Sequence, residues 1–143
     1  MSHSLLFKQY VRGEEAPYNF ETLRSILVRH GAEIGGPHNA GKGIKRYWVT
    51  FPAHDDGDDF SGDESGIYVE PAGVVEFAIG RPIYGDRLKQ LAFELLRALD
   101  ICMHPDFGEE IFTVRAKSED IPEALLEACK KGLTLVEEPA SLW

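Results

Sequence analysis

Apolar positions along this chain fall into runs of two periods. Leu5, Phe7 and Val11 alternate with Leu6, Lys8 and Tyr10, which predicts a strand over Leu5–Val11. Gly13 to Pro17 breaks it. Asn19 then offers a side-chain acceptor for the free N–H groups of a first helical turn. Phe20, Leu23, Ile26, Leu27 and His30 follow at helical spacing, and Gly31 suits a helix end. The stretch Gly35–Gly43 reads as a long loop. From Ile44 to Phe51 the alternation returns, with Tyr47, Val49 and Phe51 against Arg46, Trp48 and Thr50, and Pro52 ends it. Ile67–Val69 and Val74–Ile79 predict a hairpin joined by Glu70-Pro71-Ala72-Gly73.

The strongest helical stripe is Leu88, Leu91, Ala92, Leu95, Leu96 and Leu99, which predicts a helix from about Asp86 to Cys102, stopped by His104-Pro105. A strand is expected over Glu110–Val114. A third helix is expected from Asp120, with Glu123 completing a capping box and Gly132 as its end, and a last strand over Leu133–Val136. The order is β-α-β-β-β-α-β-α-β. Three consecutive strands disfavour a strict parallel alternation. The expected fold class is therefore α+β: a mainly antiparallel or mixed sheet of about six strands, with two or three helices packed on one face.

Composition adds that a single domain is expected over residues 1–143. A chain of this size can hide roughly two-thirds of its unfolded surface without a metal or disulfide staple. Cys102 and Cys129 belong to no CxxC and no zinc-spaced array, so buried free thiols in a reducing cytoplasm are expected. No signal segment and no apolar run of membrane-spanning length is visible. There are 24 acidic against 15 basic residues, a net charge of -9. That average field repels nucleic acid and favours a basic partner.

Candidate chemistry is sparse. Gly36–Gly43 approximates a phosphate-binding loop, but Gly43 stands where the magnesium-binding hydroxyl belongs, and the expected flanks are helix then strand, the reverse of that motif. His104-Pro105-Asp106 copies the tripeptide of the J-domain co-chaperones, whose all-helical fold the many strands here do not match. The acidic stretch 54–65, with Asp55, Asp56, Asp58 and Asp59, lacks the alternating ligands of a calcium loop and reads as a mobile loop able to dock a basic protein. No cofactor or metal is expected.

The most suggestive feature is a sheet face. If the large apolar residues of the strands turn toward the helices, then Tyr10, Arg46, Trp48 and Tyr68 turn outward, and these are the types that anchor protein interfaces. The expected function is a non-catalytic protein-binding domain, in its concrete version an acidic inhibitor or immunity protein for a basic partner. The alternatives are a small enzyme using His38, His54, His104 and Asp106, and a homodimer subunit.

Overall fold

Leu23, Ile26 and Leu27 lie on one stripe of the first helix, and Leu88, Leu91, Ala92, Leu95 and Leu96 on one stripe of the second; all are buried. A computed structural model of the chain describes residues 4–51, 65–82, 85–105, 110–114, 118–129 and 132–142. Among these the strands are β1 (Ser4–Val11), β2 (Glu14–Ala16), β3 (Glu33–Asn39), β4 (Lys45–Thr50), β5 (Ser65–Glu70), β6 (Gly73–Gly80), β7 (Cys102–Pro105), β8 (Glu110–Thr113) and β9 (Gly132–Leu135). The helices are α1 (Phe20–Arg29), α2 (Asp86–Ala98) and α3 (Glu123–Ala128).

All nine strands join one sheet in the order β3-β4-β5-β6-β1-β7-β8-β9, with β2 paired to β1. Every pair is antiparallel except β8 with β9. The α+β class and the mixed, mostly antiparallel sheet are as the pattern predicts, with nine strands in place of about six. Among the described residues, no helix is long and apolar enough to cross a membrane.

The helices divide between the two sheet faces. Leu5, Phe7, Val49, Ile67, Phe77, Ile79, Met103 and Phe112 point to one face and pack with α1 and α2 into the main core. Burying each large side chain stabilises the fold by roughly 1.5–3 kcal/mol before its ordering entropy is subtracted. Tyr10, Cys102 and Ile111 point to the opposite face. They form a second cluster with Ile121 and Cys129, against which Leu125 and Leu126 of α3 pack. The expected single helix layer is thus two helices on one side and a short one on the other.

Four local expectations are corrected. The second helix stops at Ala98, and Cys102–Pro105 is a strand between β1 and β8. The run 101–104 is buried on both sides of the sheet, so it carries no strand alternation to distinguish it from a helix. The glycine-rich stretch is mostly β3, with a register shift between Gly35 and His38, and only residues 40–44 make the turn into β4. Asp120 caps no helix: its carboxylate accepts from Arg12 N at 3.1 Å and its carbonyl from Gly13 N at 3.0 Å, holding the β1–β2 turn. Val11, placed on the core face by alternation, is exposed where β1 leaves the core to pair with β2.

Asn19 caps α1 as its position implies, its Oδ1 accepting from Thr22 N at 2.8 Å. Tyr18 anchors the entry to that helix. Its backbone pairs with Val74 and its hydroxyl donates to Phe7 O at 2.7 Å. Burial pushes its phenol well above the usual range.

Candidate functional site

Side chains alternate across a strand, so residues 46, 48 and 50 of β4 share one face, and the buried Val49 assigns that face to the outside. Register then builds two rows across the outer face. In the first, His38 of β3 lies opposite Arg46, Arg46 opposite Tyr68, and Tyr68 opposite Glu76. In the second, Trp48 lies between Gly35 and Gly66, and Gly66 opposite Ala78. Trp48 therefore stands between two strand positions that carry no side chain.

Arg46 fills one of those gaps. Its guanidinium carbon sits 3.6 Å from the Trp48 ring centroid and 5.5 Å from that of Tyr68. The side chain runs over Gly66, where a Cβ would meet Arg46 Nε at 2.9 Å, so glycine is what lets the guanidinium lie down. Cation–π contacts of this kind are worth about 0.5–1 kcal/mol at exposed sites. His38 meets the other part of the indole edge-on, with centroids 6.0 Å apart. Trp48 nevertheless remains 41% exposed.

The charge of this corner is mixed: Glu33 lies opposite Thr50 on the outer face, and Lys45 alternates with Arg46 onto the helix side. From Ile34 to Phe51 the sequence contains Lys42, Lys45 and Arg46 and no acid. Removing those three charges from the net -9 leaves -12 on the remainder. Among the described residues none of the three cations forms an ion pair, and Arg46 Nε is buried without a hydrogen-bond partner. Glu76, the acid at the end of the first row, is engaged at 3.3 Å by Lys8, which also pairs with Glu15.

Of the other expected site residues, the described ones lie away from this corner or apart from one another. Tyr10 is not on the exposed face: it is 8% exposed beneath α3, its hydroxyl 3.5 Å from His104 Nε2, and burial raises its phenol well above the usual range. His104 is a buried strand residue, its Nδ1 3.0 Å from Pro105 O, so it caps no helix. His38 and His104 stand on β3 and β7, five strand intervals apart, roughly 24 Å at the usual spacing. They do not converge. His54, Asp106, Asp55, Asp56, Asp58 and Asp59 lie outside the described residues. Both cysteines are free and buried, and burial pushes the Cys102 thiol up to about 12.

Periodicity places His30 on the apolar stripe of α1; it is instead the cap of that helix and faces outward into a groove. Its Nε2 lies 2.5 Å from Glu94 Oε2 of α2, while Arg29 holds the other carboxylate oxygen. The groove, about 570 Å³, is lined by Gln90, Phe93, Arg97 and Pro139 beside this pair. Both oxygens of Glu94 are committed to α1, which makes the carboxylate a pin between the two helices.

Compared with protein-family models, curated proteins and solved structures, the chain matches none. The functional reading therefore rests on the geometry of the site.

Proposed function

We propose that this chain is a non-catalytic protein-binding domain whose docking surface is the outer face of β3, β4 and β5. The observation that carries the reading is Trp48, exposed on a strand and stacked by an arginine that has no acid partner among the described residues. Trp, Tyr and Arg dominate binding hot spots because each combines a large apolar area with a directional polar group. Here the rings are held on β4 and β5, and Arg46 is held against Trp48, so little conformational entropy is lost when a partner covers them. The edge strand itself is a poor docking rail. Pro37 lacks an N–H, and the register shift beside it bends the row of backbone groups. Binding therefore uses the face and not the edge.

The test is site-specific photo-crosslinking in the host cell. A photoreactive side chain at Thr50, exposed on the same face, is compared with one at Arg24 on α1. A discrete adduct from position 50, absent at position 24 and lost when Trp48→Ala is added, supports the reading. An adduct with a second copy identifies the partner as the chain itself. No adduct, or equal adducts from both positions, refutes it.

A further inference from the structure

We infer that the partner covering this face is a second copy of the chain, docked about a two-fold axis that crosses β4 at Trp48; the inference rests on the docking reading above. Register supplies the symmetry. On the outer face of the β3–β4 hairpin, Trp48 opposite Gly35 is the middle position. Arg46, opposite His38, lies two residues to one side of it along β4, and Thr50, opposite Glu33, lies two residues to the other. Two residues of strand span roughly 7 Å. A cation and an anion therefore stand at similar distances on either side of one exposed ring.

Both charges are available to a partner. Among the described residues neither Arg46 nor Glu33 forms an ion pair, whereas Lys8, Arg24 and Arg29 are each paired with a glutamate. Glu76, the acid opposite Tyr68, is already held by Lys8. Glu33 is exposed on the edge strand. Arg46 Nε is the buried, unpartnered atom, so the contact falls to the two terminal nitrogens of the guanidinium. A two-fold rotation that reverses the strand direction brings the Arg46 level of each copy over the Glu33 level of the other. It forms two equivalent ion pairs, one on each side of the axis. An axis parallel to the strands would bring the two Arg46 levels together, an arrangement that like charge disfavours.

Shape follows the same symmetry. A Cβ on Gly35 would meet no described atom within 4 Å beyond its chain neighbours, so the place beside the indole on β3 is open. The place on the other side, above Gly66, is filled by Arg46. The Trp48 ring of one copy enters the open place over Gly35 of the other, and the exchange is reciprocal. An unrelated partner would need its own ring, opening and two charges; a second copy brings all four. The face is small. Three strands about 4.8 Å apart, each six residues long at about 3.4 Å per residue, give on the order of 300 Å² of sheet. A stable complex covers roughly 800 Å² on each partner, so a weak dimer with a Kd on the order of 100 μM is expected. The charge of -9 on each copy opposes approach, but at physiological salt it is largely screened beyond about 8 Å.

The experiment is sedimentation equilibrium at physiological salt, from about 10 μM to about 1 mM chain, a range that brackets the expected Kd. The native chain is compared with Arg46→Glu, with Glu33→Arg and with the chain carrying both substitutions, each checked for folding by circular dichroism. Glu33→Arg leaves Arg46 and Trp48 in place and so tests the pairing alone. Each single substitution is expected to weaken the dimer about tenfold or more, because it sets like charges together at both ends of the interface. Mixing the two singly substituted chains restores association, since every pair is then of opposite charge, and the doubly substituted chain recovers it for the same reason. A damaged fold or a lost cation–π contact gives no such recovery. A native chain that stays monomeric throughout the range overturns the inference. So does a dimer indifferent to both single substitutions, or a mixture that does not recover. Each of these results leaves the docking face itself to be judged by crosslinking from position 50.

Discussion

Gly66→Ala separates the stacked arginine from the charge it carries. Gly66 has an ordinary strand backbone, so alanine brings no backbone penalty there. The added Cβ would lie 2.9 Å from Arg46 Nε and 3.3 Å from Nη2, while the nearest backbone atom, Tyr47 O, stays at 3.5 Å. The atoms that must yield are the far end of a flexible side chain, so the guanidinium swings off the indole and the sheet holds. Losing the cation–π contact costs about 0.5–1 kcal/mol. Replacing glycine by alanine within a strand returns about 0.5–1 kcal/mol of backbone entropy. The two nearly cancel, and the expected change in unfolding free energy is within about 1 kcal/mol of zero. Urea denaturation measures that figure, and the Arg46 Nε–Hε cross-peak reports the stacking. In the native chain the indole ring current displaces that Hε resonance; in Gly66→Ala it moves to the position of a solvated arginine. An unchanged cross-peak, or a stability loss above about 3 kcal/mol, would show that Arg46 is not the group that gives way.

Gly73→Ala provides the contrasting case. Gly73 has φ of +144°, and a Cβ there would approach Tyr18 O to 2.6 Å, a backbone atom fixed by the Tyr18–Val74 bridge, so a loss of about 3 kcal/mol is expected. A change below about 1 kcal/mol in urea unfolding would contradict the tight packing of Tyr18 on the β5–β6 turn. Alkaline pH destabilises the fold in a defined window. Burial raises Cys102, Tyr10 and Tyr18, so the unfolded chain releases these protons first and binds fewer than the native state. Stability should begin to fall near pH 9, steepen above pH 10 as the tyrosines join, and lose at most about 1.4 kcal/mol per pH unit for each group. A flat stability curve from pH 8 to 11, read by denaturation at fixed salt, would show these groups to be solvated.

Legibility in the sequence followed the range of the interactions involved. α1 was readable to within a residue because its signals are local: Asn19 caps it, an apolar stripe runs along it, and Gly31 follows. The start of α2 and the β5–β6 hairpin were readable for the same reason. β3 was hidden because Gly35, Gly36 and Pro37 have no strand propensity, and only pairing with β4 extends them. β7 was hidden because a segment buried from both sides shows continuous apolar residues.

The candidate site divides along the same line. Alternation alone turned Arg46, Trp48 and Tyr68 toward one face, since the pleat has a period of two. It also turned Tyr10 that way, but it could not know that α3 would cover the β1 end of that face and leave the β4 end open. The sequence by itself determined which residues share a surface and that one stretch of the chain carries cations without acids. Tertiary structure decided which part of the surface stays open, and that Gly66 lies beneath Arg46. Those facts depend on strand order and register, which arise from contacts between residues far apart in the chain and leave no local periodicity to read.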